Sequence, residues 1–313
     1  MIKLDEHFYR KIWLPDIFIR NEKRANFHEV TIPNRLMRLY SNGAVWYVTK
    51  ITATLDCYMD LTNYPLDVQK CPLSLESFGN TMDVLTFKWM DNAVEKDENL
   101  RLPEYTLTSF DFQDCSRVYA AGAFPCLNVD FFLDRNREYF VMQVYLPSVL
   151  IVIMSWVGFW ISIDASPARV SIGLLTVLTI TTQATASRAS QPKVSYIKAI
   201  DVWLAMCLVF VFASLLEYSL VNTFSRRQVP KPVRNRAQGI FCNSNSEKKK
   251  MCDDLQPHVE AAPEKEEVPD PQGREKAKRV DTVSRILFPF SFILFCFVYG
   301  LYYVVFARSS FSV

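Results

Sequence analysis

Histidine, glycine and net charge are all scarce in this chain. Three histidines and eight glycines are spread over 313 residues, and the formal charges nearly cancel at +2. No paired-histidine metal motif, phosphate-cradling glycine loop or Ser/His/Asp arrangement occurs, so the sequence supports neither an enzyme nor a bound cofactor or metal. A charge balance this small, with no basic stripe interleaved with aromatics, argues against a nucleic-acid partner. The opening MIKLDEHFYRKIW has no apolar core and no small-residue cleavage site, so no secretory signal is read there. A further absence is local: no acidic residue occurs between Pro167 and Ser187.

What is present is a mixture. Half of the residues are hydrophobic, yet 22% are charged, as expected of one water-exposed part joined to one membrane part. Four apolar stretches reach the roughly 20 residues that a bilayer-crossing helix needs. They lie at about Val141–Ile163, Ala168–Ser187, Ala199–Val221 and Ile286–Phe306. The second is unusual, because SIGLLTVLTITTQATA carries a hydroxyl every few positions. Between the third and fourth, residues 222–285 are rich in Lys, Arg and Pro, which predicts a cytoplasmic, largely disordered segment. Residues 1–140 then lie outside, and so does the short link that carries Arg188, Lys193 and Lys198.

The cysteines fit this division. Cys57, Cys71, Cys115 and Cys126 fall in the outer part, Cys207 and Cys296 in spans, and Cys242 and Cys252 in the cytoplasmic segment. The outer part reads as short strands between turns, which suggests a β-sandwich. Ala44–Leu55 follows the turn signal Ser41-Asn42-Gly43, and Leu85–Trp89, Leu127–Leu133 and Tyr139–Tyr145 have similar strand composition. Cys57 and Cys71 enclose CYMDLTNYPLDVQKC. Closing a loop of that size would stabilise a secreted sandwich by about 3 kcal/mol in the chain-entropy model.

Thirteen residues between two cysteines, centred on Tyr64, Pro65 and Asp67 and followed by four spans, resemble the signature loop of Cys-loop receptors. The resemblance extends through WLPDIFIRNE (13–22), LESFGNTMDVLTFKW (75–89) and SPARVSIGLLTVLTITTQATASRASQPKVSYIKAIDVW (166–203), and is strongest to glycine receptor α subunits. Cys115 and Cys126 look like the extra disulfide of glycine receptors and related invertebrate chloride channels. The resemblance implies a β-sandwich extracellular domain, N-terminally truncated because the family's first strands precede its first binding segment, plus a four-helix transmembrane bundle in a homo- or hetero-pentamer. It implies domains at 1–140, 141–221, 222–285 and 286–313, a plasma-membrane and postsynaptic location, contact with membrane lipid, and no cofactor.

The same resemblance supplies candidate sites. A small amine or amino-acid agonist would sit among Phe18, Glu76, Ser77, Phe78, Tyr119 and Phe124, its ammonium held over aromatic rings. Two positions that meet an agonist carboxylate in glycine receptors are Val48 and Ala121 here, which implies that glycine is a poor agonist. Asn26-Phe27-His28 retains one of the two histidines of the family's zinc-modulation site, and His28 reads as a surface residue. The second span puts Pro167, Ser171, Leu175, Leu178, Thr182 and Thr185 on one face at 3.6 residues per turn. In the family that face lines the pore, with Leu178 at the hydrophobic gate. Pro167, Ala168 and Arg169 fall at its cytoplasmic mouth, where a ring of arginines would favour chloride. Pro65, Asp67, Arg135, Arg188, Lys193 and Tyr196 fall where the family couples agonist binding to opening, with Asp67 expected to face Arg135. An alternative reading is a non-conducting regulatory subunit that assembles with full-length partners.

Overall fold

The computed structural model describes residues 1–226, 228–230 and 267–306. Cys242, Cys252 and the middle of the segment expected to be disordered lie outside the described residues. The chain divides into two compact units. One comprises Met1–Gln143, Pro192–Trp203 and the described residues from Val298 onward; the other comprises Val144–Gln191 and the described residues of Leu204–Phe297.

The first unit is antiparallel β-structure. Its strands are β1 (Ile2–Lys3), β2 (Ile17–Ile19), β3 (Glu22–Phe27), β4 (Arg35–Leu39), β5 (Val45–Thr49), β6 (Ile51–Leu55), β7 (Val68–Ser77), β8 (Tyr105–Asp114), β9 (Arg117–Tyr119), β10 (Gly122–Phe124) and β11 (Cys126–Arg135), with one helical turn, α1 (Glu6–Tyr9). A four-stranded sheet runs β2-β7-β11-β8, a three-stranded one β1-β4-β5, and β3-β6 and β9-β10 form ribbons. β11 is the inner strand, paired along its length with both β7 and β8. Its buried polar side chains are satisfied: Ser74 Oγ donates to Asn128 Oδ1 (2.7 Å), Asn128 Nδ2 donates to Asp130 Oδ1 (2.8 Å), and Asp130 pairs with Lys70 (2.8 Å).

Three strand expectations change. Ala44–Leu55 is not one strand: the chain breaks at Lys50, so that β5 pairs with β4 while β6 pairs with β3. Leu85–Trp89 has no regular secondary structure and joins no ladder. Tyr139–Tyr145 is helical, as α2 (Glu138–Phe140) and the wider turn Val141–Tyr145. Its aromatic and β-branched composition is a weak prior, overridden by continuity with the apolar run that follows. The turn signal at Gly43 holds: φ is +83°, and the Tyr40 N–H donates to the Ala44 carbonyl at 2.9 Å.

Four helical stretches are long and apolar enough to cross a membrane: Glu138–Trp160, Ser166–Ala189, Ala199–Ser225 and Pro271–Val305. The first continues from α2 through α3 (Leu146–Trp156) into a tighter turn, Val157–Trp160. The others are α4 (Ser166–Ala189), α5 (Ala199–Ser225) and α6 (Pro271–Gly300). A short ladder, β12 (Gln228–Pro230) with β13 (Glu267–Pro269), stands between α5 and α6. α6 begins at Pro271, well ahead of the expected Ile286.

Within the second unit the helices form a bundle around aromatic contacts. Trp156 and Phe210 both meet the Phe292 ring edge-to-face, at 5.7 and 5.2 Å between centroids. Gly173 lets α4 lie close to α5, because a β-carbon there would stand 2.6 Å from Leu215.

Candidate functional site

Three groups of residues carry the chemistry. The first is aromatic. β2 pairs with β7 so that Phe18 stands opposite Glu76, and the Phe18 ring meets Phe78 edge-to-face at 5.8 Å. The β9–β10 hairpin, closed by the Cys115–Cys126 disulfide, brings Tyr119 to 5.8 Å from Phe124. Gly122, with φ +130°, bends its tip against Thr81, and the Met82 N–H donates to the Ala123 carbonyl at 2.8 Å. The hairpin is thus fastened to the turn that bears Phe78. Phe78 is 79% exposed, so its ring is open to a ligand.

That turn has an anchor which sequence reasoning missed. Asp16 accepts from Ser77 Oγ (2.8 Å), Asn80 Nδ2 (2.6 Å) and the Gly79 N–H. The Asn80 bond above all, with Ser77 and Gly79 adding to it against desolvation, holds the Asp16 carboxyl below the usual carboxylate range. Ser77, expected as a ligand contact, has a structural part in this turn. It is buried, its hydroxyl donates to Asp16 and accepts from the Asn80 N–H (3.0 Å), and so it shapes the turn. Glu76 is different. It is buried with Arg20 3.5 Å away, and its Oε2 has no hydrogen-bond partner. Val48 and Ala121 are exposed apolar positions. His28 Nε2 lies 2.7 Å from Thr52 Oγ1, and among the described residues no cluster of metal-ligating side chains occurs.

The second group is an ion pair. Arg135 Nε donates to Asp67 Oδ1 at 2.8 Å and Nη2 to Oδ2 at 3.1 Å, and both residues are buried. The Arg135 guanidinium lies between two rings, 4.6 Å from Tyr64 and 4.5 Å from Tyr105. Gln69 Nε2 donates to the same Asp67 Oδ2 and to the Asp60 carbonyl. Burial opposes the Arg135 charge, but the hydrogen bond and charge of Asp67 outweigh it and raise the Arg135 pKa. Burial pushes the Tyr64 hydroxyl up to about 12.

The Cys57–Cys71 loop that carries Asp67 also caps a helix. The Ala199 and Ile200 N–H groups, in the first turn of α5, donate to the Thr62 and Tyr64 carbonyls at 2.9 and 3.1 Å. Those donors would otherwise be left open at the helix start. Tyr196 accepts from the Leu61 N–H at 2.9 Å, and Tyr299 of α6 donates to the Ala199 carbonyl at 3.0 Å. Pro65 is fully buried in this loop, while Lys193 is exposed. Arg188 is an exposed residue near the end of α4, whose carbonyl accepts from the Gln191 N–H at 3.3 Å.

The third group is α4. Pro167, Ser171, Leu175, Leu178, Thr182 and Thr185 are all exposed, with Leu175 at 63% and Leu178 at 60%. The opposite face, with Thr176 and Ile180, is buried. Every hydroxyl on the exposed face bonds back to its own helix: Ser171 to the Pro167 carbonyl (2.8 Å), Thr182 to Thr179 (2.9 Å) and Thr185 to Thr181 (2.9 Å). Ala168 is exposed beside Pro167. Arg169, which the motif alone leaves either in the permeation path or packed behind it, lies on the buried face and is 3% exposed. Its Nη1 and Nη2 donate to both oxygens of Asp281 on α6, at 3.0 and 2.8 Å, and Nε donates to the Ile161 carbonyl at 3.1 Å. A guanidinium neutralised in this way cannot act as an open cationic ring. The only sequence trace of this pairing is one acid, Asp281, just ahead of the fourth apolar run.

Two family models match the sequence. The neurotransmitter-gated ion-channel ligand binding domain covers residues 1–139, and the neurotransmitter-gated ion-channel transmembrane region covers residues 144–276. Four membrane-length helices following disulfide-closed β-structure agree with both. The chain therefore belongs to the neurotransmitter-gated ion-channel (Cys-loop receptor) family, as a multi-pass, ligand-gated channel subunit and not an enzyme.

Proposed function

We propose that this chain is a subunit of a pentameric, amine-gated chloride channel of the glycine-receptor type, with residues 1–140 outside the plasma membrane. The observation that carries the reading is the exposed stripe of α4, which has hydroxyls and leucines and no carboxylate from Pro167 to Ser187. Five such helices around an axis would present five positive N-terminal ends at Pro167 and Ala168, which favours anions. Leu178, 60% exposed on that stripe, would close the pore by dewetting. With Arg169 bound to Asp281, the helix ends carry the selectivity.

The agonist reading rests on Phe18, Phe78, Tyr119 and Phe124 and on buried Glu76, whose Oε2 lies 3.5 Å from Arg20 Nη1 but makes no hydrogen bond. An ammonium over these rings gains about 2 kcal/mol when desolvated. Recordings of expressed channels in graded chloride and sodium solutions test the selectivity. The reversal potential is expected to follow chloride, and Ala168→Glu with Pro167 removed is expected to turn it toward sodium. A wild-type reversal potential that follows sodium refutes the reading. No current from this chain alone, together with altered current from a full-length partner, would favour the regulatory-subunit alternative.

A further inference from the structure

The helix bundle buries more polar chemistry than the Arg169–Asp281 pair accounts for. Ser155 on α3, Ser214 and Glu217 on α5 and Ser284 on α6 are all buried with it. The first two serines have found partners: Ser155 Oγ donates to the Val152 carbonyl and Ser214 Oγ to the Val211 carbonyl, both at 2.7 Å. Glu217 has not. It is 6% exposed, and neither Oε1 nor Oε2 has a hydrogen-bond partner among the described residues. Asp281 and Ser284 stand beside it without making such a bond. A carboxyl group inside a membrane bundle is among the costliest to leave without a partner.

Glu217 opens onto a cavity between α3, α4 and α5 that is also lined by Ser155, Phe159, Arg169, Ser214 and Tyr218. A water-sized molecule can place its centre within about 10 Å³ of it. On that measure a single buried water needs about 10–15 Å³, so the space suits one water and nothing larger. A metal cation is disfavoured by the guanidinium in the wall.

The walls supply the donors and acceptors that a water requires. Glu217 offers two carboxyl oxygens, and Ser155 and Ser214, whose protons are already given to carbonyls, offer lone pairs. The donor is Arg169. Its Nε reaches the Ile161 carbonyl, and both protons of Nη2 are used, on the Ile161 carbonyl and Asp281 Oδ2. Nη1 gives one proton to Asp281 Oδ1, which leaves its second free among the described residues. A water that accepts from Nη1 and donates to Glu217 and to one serine oxygen makes about three hydrogen bonds, the usual number for a buried water.

We propose that this cavity is a binding site for one structural water, which bridges Glu217 to the Arg169–Asp281 pair. The pair already joins α4 to α6. The water adds α5, so that three helices meet at one polar junction in the first turn of α4.

The test is hydroxyl-radical footprinting of the purified full chain in detergent, with radicals generated from water by an X-ray pulse after rapid dilution into heavy-oxygen water. A water held in the cavity labels the ring of Phe159, which is 2% exposed and out of reach of bulk solvent. Mass spectrometry is expected to find ordinary oxygen on Phe159 well after exposed Tyr58 has taken up the heavy isotope. The readout depends on neither ion selectivity nor agonist, so its outcome is separate from that of the proposed function. Glu217→Leu is expected to lose the slowly exchanging label, and Glu217→Gln, which keeps a carbonyl oxygen at the same place, to retain it. No label on Phe159 in the wild type overturns the proposal. So does heavy oxygen arriving there as promptly as on Tyr58, which would mark an open crevice. Survival of the label in Glu217→Leu, or its loss in Glu217→Gln, also overturns it. Should Glu217→Leu fail to fold, the wild-type exchange and Glu217→Gln decide between the outcomes.

Discussion

Replacing Arg135 by glutamine probes the tyrosine-flanked ion pair most directly. The guanidinium is buried, makes two hydrogen bonds to Asp67 and lies within 4.6 Å of two ring centres. Removing one partner of a buried pair costs about 3–5 kcal/mol, chiefly because the other charge is stranded. Asp67→Asn leaves Arg135 its two rings, so its cost is expected at the low end, about 3 kcal/mol. Arg135→Gln loses the pair and both ring contacts and is expected at about 5 kcal/mol. The double mutant strands no charge and is expected to fall short of the sum by about 2–3 kcal/mol. Exchanging the charges, D67R/R135D, is expected to restore nothing, since a carboxylate at 135 would face the negative faces of Tyr64 and Tyr105. Thermal unfolding of the purified protein gives the four corners of the cycle, and agonist concentration–response curves give the same cycle for opening. Additivity within about 0.5 kcal/mol in both readouts would refute the coupling.

Tyr299→Phe removes one buried hydroxyl contact to the first turn of α5 while keeping the stack on Trp203, and a loss of about 1 kcal/mol in thermal stability is expected. Val48→Ser with Ala121→Thr is expected to increase glycine sensitivity, read as a lower half-activating concentration; an unchanged value counts against the carboxylate argument. The Tyr64 hydroxyl is raised from 10.0 to about 12, so its contribution to stability is complete below pH 10 and is lost as pH rises toward about 12. Tyr64→Phe is expected to flatten that alkaline decline in an unfolding series.

The two periodicities that patterning arguments use were legible at different levels. The α4 stripe follows from 3.6-residue spacing alone, because a single helix needs no partner to define its faces. β5 and β6 do not, because a run of twelve β-prone residues says nothing about where the chain changes ribbons. The aromatic positions Phe18, Phe78, Tyr119 and Phe124 were legible through motif resemblance. Asp16 was not, since it lies 61 residues from Ser77 and marks no local pattern. Arg169 shows the same limit more sharply. Its place in a motif left open whether the charge faces the permeation path or packs behind it, and the acid that pairs with it stands 112 residues away. Gln69, Tyr105 and Tyr299 were missed for that reason too, as each acts through tertiary contact.

The back-bonded hydroxyls of α4 change what its exposed face offers to a passing ion. Ser171, Thr182 and Thr185 have already spent their protons on carbonyls of their own helix. What they turn outward is oxygen lone pairs and, for threonine, a methyl. On the proposed pore reading, such a wall would wet less readily than its composition suggests, and a ring of leucines would expel water from it more easily. An arriving anion would have to draw each proton off its carbonyl before the hydroxyl could solvate it. The lining would then exchange one acceptor for another, its hydroxyls a solvation shell held in reserve.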